Sequence, residues 1–238
     1  MNYRLLGKLL GQFTLALSLV MLPAAGWAVW FREWQALAGF LEAVAGAATL
    51  GGVLVYLGRR APTQFFQREA LGMVGLGWLL AAAVAAVPYL TTRTLGPIDA
   101  YFEAMSGMTT TGATVIVDIE ATPKSVLFWR SFTQWLGGMG IIVLFVAVLP
   151  FLGAGGKQLF RSEAPGPDPH GLVPRIRDTA QILWRLYLGF TVLQTGLLMA
   201  AGMSFYDALC HTFTTLSTGG FSTRQASIAA YDSLMVEV

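Results

Sequence analysis

Between apolar runs long enough to cross a bilayer, this chain carries a short polar element twice, and that arrangement narrows the possible folds more than any other feature. The first copy spans residues 99–114 and passes from Asp99-Ala100 through Ser106 and Gly107 to Thr110, Thr111, Gly112 and Ala113. The second spans residues 207–223 and passes from Asp207-Ala208 through His211 to Ser217, Thr218, Gly219 and Gly220. Each runs through a helix-length stretch into a hydroxyl–Thr–Gly–small sequence, and the distance from Asp to the first glycine of that sequence differs by one residue. A hydroxyl-rich segment broken by glycine makes a poor membrane span. It suits a re-entrant loop that lends backbone oxygens to a dehydrated cation.

The apolar setting is not in doubt. Of the 238 residues 55% are hydrophobic and 12% charged, with a mean hydropathy of +0.61, against about 25% charged in soluble domains. An integral membrane protein follows, surrounded by lipid. The net charge of +2, without a basic block, excludes a nucleic-acid binder. One cysteine, Cys210, excludes an internal disulfide, and no Cys/His cluster has metal-ligand spacing. His170 in a connection and His211 in a short helix read as structural, and neither catalytic residues nor a cofactor are expected. The N-terminal apolar run outlasts the roughly 7–15 residues of a secretory signal. Trp27 and Trp30 stand where a small-residue cleavage site belongs, so the run reads as an uncleaved first span.

Spans are expected near residues 9–30, 35–57, 70–90, 126–151 and 182–203, each close to the roughly 20 residues that cross a bilayer. Arg4 and Lys8, then Arg59, Arg60 and Arg68, then Lys157, Arg161, Arg175 and Arg177 fall on one side; the other side holds Arg32, Arg93 and Lys124. The positive-inside rule places the N-terminus in the cytoplasm. Both polar elements then open from the outer face. Residues 153–181, with Pro165, Pro167, Pro169 and Pro174, read as a cytoplasmic connection.

Each unit reads as span, short helix, turn, span. Asp99 and Asp207 are expected as N-caps, with helices running to about Thr109 and Leu216. The C-terminal ends, with their unsatisfied carbonyls, then point into the membrane and favour a cation. The strips Thr110, Thr111, Gly112, Ala113 and Ser217, Thr218, Gly219, Gly220 supply oxygen ligands without fixed carboxylates. Such ligands suit a large monovalent ion better than Ca²⁺ or Mg²⁺, and potassium is the hypothesis. Hydroxyls that bond their own backbone and glycines that serve helix packing are the competing reading. Two copies with one orientation favour the ion.

Residues 106–114, 128–140, 149–167 and 207–227 carry a resemblance to a known family. The chain resembles the membrane subunit of Trk-type potassium uptake systems, in the Trk/Ktr/HKT superfamily of cation transporters. The resemblance implies an all-α membrane protein in which four span–pore-helix–span repeats with re-entrant filter loops surround one ion path. Two N-terminal spans look like the extra helix pair of the Trk branch. It further implies domains at 1–69 (helix pair), 70–153 (first repeat), 154–181 (cytoplasmic loop) and 182–238 (second repeat, lacking its last span). Gly112 and Gly219 correspond to the first two filter glycines, with Thr110, Thr111, Ser217 and Thr218 beside them. A homodimer, a TrkA-like cytoplasmic nucleotide-binding regulatory subunit and a bacterial inner-membrane location are implied as well. Two strips are half of such a filter, so the chain is expected to be a portion of a longer protein or to be completed by a second chain.

Arg130 and Gln134, in the fourth span, are expected to support the filter; snorkelling to the outer interface is the alternative for Arg130. Gly137, Gly138 and Gly140 read as sites of close helix approach. Glu42 reads as a hydrogen-bonded or protonated residue facing the bundle, and Arg185 as reaching the cytoplasmic interface. Glu103 reads either as an attractor of cations at the outer mouth or as a solvated or Arg-paired residue. Alternatives to transport are a non-transporting membrane subunit or truncated relic, and an intramembrane protease built on Ser106 with His211 or Asp99 with Asp207. Potassium versus sodium, and channel versus ion-coupled uptake, stay open at this level.

Overall fold

The computed structural model describes residues 2–61, 67–152, 172–233 and 236, and among them there is no strand. The helices are α1 (Tyr3–Val20), α2 (Leu22–Trp30), α3 (Trp34–Gly58), α4 (Gln67–Thr91), α5 (Pro97–Met108), α6 (Lys124–Leu152), α7 (Leu172–Ala200) and α8 (Phe205–Leu216), followed by a 3-10 turn at Ser227–Tyr231. Among the described residues four stretches are long and apolar enough to cross a membrane: Tyr3–Trp30, which comprises α1 and α2, then Trp34–Gly58, Gly72–Thr91 and Ala180–Ala200. The first is interrupted at Met21, because Pro23 at the start of α2 has no N–H to continue the ladder. The expected span at 126–151 lies within α6, a helix of 29 residues.

Sequence and structure differ on the long connection. Residues 154–171, with Lys157, Arg161 and His170, lie outside the described residues, as does much of the family-like stretch 149–167. Helix α7 begins at Leu172, so the last ten residues expected in that loop are its first turns.

Close backbone approach and aromatic packing hold the bundle together. Helices α1 and α3 cross where Gly11 and Gly51 face one another; a methyl at Gly11 would lie 2.8 Å from the Gly51 carbonyl oxygen. Gly58 faces the Arg4 carbonyl in the same way. Small residues at a crossing let dispersion forces act between backbones, where lipid-exposed helices have no hydrophobic drive to associate. On α6, Phe128, Phe132 and Trp135 stack one above another at helical spacing, and Phe213 of α8 lies 5.3–5.9 Å from all three rings. The fully buried Trp129 donates from its indole to the Ala85 carbonyl of α4 at 3.0 Å. Helix α5 sits between α4 and α6, and α8 between α6 and α7.

Candidate functional site

Helices α5 and α8 have twelve residues each, and the segments that follow them have the same backbone. The expected caps need correcting. The N-cap positions are Gly96 and Ser204, three residues before Asp99 and Asp207, which sit in the first turns. Ser204 accepts from the Asp207 N–H at 3.1 Å and donates to its carboxylate at 2.8 Å. Asp99 is exposed. Both carboxylates still lie at the positive end of a helix. Asp207 adds a link to the chain beyond the second strip, accepting from the Thr223 hydroxyl at 2.7 Å.

At the other end, the helices close with one motif. Thr110 N–H donates to the Gly107 carbonyl and Thr111 N–H to that of Ser106; Thr218 N–H donates to Thr215 and Gly219 N–H to Thr214. This is a Schellman closure, which places its C′ residue in the left-handed region and strongly favours glycine there. Here both C′ residues are threonines, Thr110 at φ 57° and Thr218 at φ 56°. A β-branched residue in that region is strained. Two residues further on, Gly112 and Gly220 take φ 77° and 80°.

One separation, 108 residues, relates Thr110 to Thr218, Gly112 to Gly220 and Asp99 to Asp207. That register corrects the pairing of Gly112 with Gly219. Gly219 occupies the place of Thr111, and the one-residue length difference vanishes once Gly220 is matched to Gly112.

The strips touch. A methyl group on Gly112 would overlap the Gly219 carbonyl oxygen, and one on Gly219 would overlap the Gln134 amide. Gln134 is wholly buried and accepts from the Phe221 N–H at 3.1 Å. Its Nε2 has no partner among the described residues and faces the strips near Gly112 and Gly219. Two more glycines bring α6 close. Gly137 lies against the Met108 carbonyl at the end of α5, and Gly138 against Ser217.

Behind the strips lies a buried ion pair. Arg130 is 2% exposed and Glu103 fully buried, with Nε and Oε1 at 2.6 Å. Glu103 also accepts from the Thr114 hydroxyl and the Val115 N–H, both at 2.9 Å. Arg130 donates to the Ser222 carbonyl at 3.0 Å, and its guanidinium lies 3.7 Å from the centre of the Phe221 ring. The pair thus connects the chain after the first strip to the chain after the second. Arg130 meets a carboxylate and a strip-side carbonyl rather than helix carbonyls. Of the readings for Glu103, burial and pairing leave the Arg-paired one. Glu42 is exposed on α3 and does not face the bundle, and Arg185 is exposed as well.

On the opposite side the strips are open. Thr111, Ala113, Thr218 and Gly220 are exposed, and among the described hydrogen bonds none ends on the backbone oxygens of Thr110, Thr111, Gly112, Thr218, Gly219 or Gly220. The Ala113 oxygen accepts from Ser106 at 2.6 Å. Oxygens left open at the ends of two helices need water or a cation. Of the residues nominated for proteolysis, Ser106 donates to the Ala113 carbonyl, the His211 ring lies edge-on to Tyr231, Asp207 accepts from Ser204 and Thr223, and Asp99 is exposed. Among the described residues no group of three or more His, Cys, Asp or Glu could hold a metal ion.

Comparison with known proteins gives one answer. The family model TrkH, described as "Cation transport protein", matches residues 40–238. The Trk system potassium uptake protein TrkH of Halomonas elongata is 42% identical, over 100% of this chain and 50% of its own length. Its Escherichia coli counterpart is 39% identical, over 98% and 49%. The crystal structure of the potassium transporter TrkH from Vibrio parahaemolyticus superposes with a TM-score of 0.86 at 35% identity, covering 99% of this chain and 47% of that one. The chain spans about half the length of the curated relatives it matches.

Proposed function

The chain belongs to the TrkH family of cation transport proteins, and on that premise we propose that its two strips line one side of a potassium path across the membrane. Helices α5 and α8 are pore helices in this reading, α5 between the spans α4 and α6 and α8 following the span α7, within repeats at residues 70–153 and 182–238. Thr110, Thr111, Gly112 and Ala113, with Ser217, Thr218, Gly219 and Gly220, are the filter residues. Arg130 and Gln134 support them from behind, and Glu103 joins that support. The observation that carries the proposal is the pair of matching strips, with threonine in the left-handed region and backbone oxygens on which no described hydrogen bond ends. Carbonyl oxygens can replace the hydration shell of a weakly hydrated monovalent ion.

The named relatives are potassium uptake proteins, which supports potassium as the transported ion and argues against an enzyme. Further strips, on the same polypeptide or another, close the ring around the path. A homodimer in a bacterial inner membrane, with the N-terminus and a nucleotide-binding regulatory partner of TrkA type on the cytoplasmic side, completes the proposal. Potassium uptake in cells lacking their own uptake systems tests it. Gly112→Ser and Gly220→Ser each introduce a side chain where φ is positive, and each should abolish selective uptake with the protein still present in the membrane. Unchanged uptake and selectivity in both would refute the reading.

A further inference from the structure

Helix α6 carries both residues that reach the strips from behind, yet its own sequence provides no cap. Pro123, which precedes it, has no side-chain acceptor, and the first N–H groups of a helix need one. The acceptor comes from 91 residues away. Glu33, in the turn between α2 and α3, takes the Lys124 N–H at 2.7 Å on one carboxylate oxygen, and the Ser125 N–H at 3.0 Å and hydroxyl at 2.5 Å on the other. Glu33 stands at the N-cap position of α3 but makes no side-chain bond to α3. Its placement is set by the closure of α2, where Arg32 is left-handed at φ 59° and the Glu33 N–H donates to the Ala28 carbonyl at 2.8 Å.

The same junction includes the second unit. Tyr206, in the first turn of α8, donates to the Lys124 carbonyl at 2.6 Å, and its ring packs 5.2 Å from both Trp27 and Phe31. The turn after α2 therefore holds the outer ends of α6 and α8 together. At 1.5 Å per residue, Arg130 and Gln134 lie roughly 8 and 13 Å down α6 from Ser125. An axial shift at the cap would carry to the strips along a rigid helix.

We propose that Glu33 is a positioning residue for ion selection: it caps α6 from outside the two repeats and thereby sets the height at which Arg130 and Gln134 meet the strips. The inference rests on the potassium-path reading above. The test is the ratio of potassium to sodium uptake per molecule, with the full-length protein expressed in cells lacking their own potassium uptake. Glu33→Ala should lower that ratio by about fivefold, the scale of a lost helix cap. Adding Pro123→Asp, which gives α6 a local cap, should restore it to within about twofold of wild type. If Glu33→Ala does not reach the membrane, Glu33→Gln, which keeps one acceptor oxygen, takes its place, with an intermediate ratio expected. An unchanged ratio in the variant that reaches the membrane, or no rescue by Pro123→Asp, overturns the proposal. Gly220→Ser is measured in parallel. If it removes selectivity while the Glu33 variant does not, the Glu33 inference alone fails; if it too changes nothing, the path reading fails and takes the inference with it.

Discussion

The two strips share a backbone and differ in what holds them. The first is held largely by its own helix: Ser106 bonds the Ala113 carbonyl, and Glu103 bonds Thr114 and Val115. The second depends on α6, whose Gln134 and Arg130 reach the Phe221 N–H and the Ser222 carbonyl. At the 108-residue register Glu103 corresponds to His211 and Ser106 to Thr214, and neither makes the contacts of its counterpart. The Thr214 hydroxyl bonds the His211 carbonyl within α8, and His211 packs on Tyr231. The pattern that repeats is thus the helix closure. Side-chain support differs between the copies; the Glu103–Arg130 pair is a strut common to both, and Gln225 adds a second link by accepting from the Ile119 N–H at 3.4 Å.

That contrast orders the expected effects of substitution. The largest belongs to the shared strut. Arg130→Met leaves Glu103 buried without its partner and should cost about 3–5 kcal/mol of stability, measurable as a fall in thermal unfolding temperature of purified protein. Arg130→Met combined with Glu103→Met should recover much of that loss, because an apolar pair needs no compensation. An unrecovered loss would mean that the contacts to Ser222 and Val115 matter more than the charges. Next comes Gln134→Leu, which removes the acceptor for the buried Phe221 N–H and should cost about 1–3 kcal/mol. It should disturb the second strip while sparing the first, as probed by the accessibility of cysteines placed at Thr218 and Ala113, both exposed. Ser106→Ala should do the reverse at about 1 kcal/mol, since it removes a single bond to Ala113. Equal disturbance of both strips by either variant would erase the asymmetry. The smallest effect is expected for Asp207→Asn, which keeps an acceptor for Thr223 and faces Arg224 only at 4.0 Å near the surface; about 0–1 kcal/mol is the scale of such pairs.

Much of this was legible in the sequence, for identifiable reasons. Membrane-length apolar runs declare themselves by composition, and the paired Asp-Ala and Thr-Gly signals located both short helices. The helix ends near Thr109 and Leu216 followed from where the hydroxyl-rich, glycine-bearing run begins. What failed was local register. Aspartate is a favoured cap, so Asp99 and Asp207 were expected at the N-caps, but the chain enters each helix three residues earlier, at Gly96 and Ser204. Matching first glycine to first glycine misplaced Gly219, because position in a Schellman closure is decided by backbone hydrogen bonds that composition does not reveal. The Glu103–Arg130 pair had a weak signal: one arginine and one carboxylate in apolar surroundings, each needing a partner. Glu33 had none, since its carboxylate serves a helix that begins 91 residues away.

In the proposed path Gly112 and Gly220 occupy equivalent places beside one ion. Anomalous diffraction from crystals of the full-length protein grown with thallium(I), a heavy stand-in for potassium, tests it most directly. A thallium peak is expected within coordination distance of the backbone oxygens of both strips in the wild-type protein, and its loss in Gly220→Ser. A peak elsewhere with none at the strips, in a protein that still takes up potassium, would contradict it.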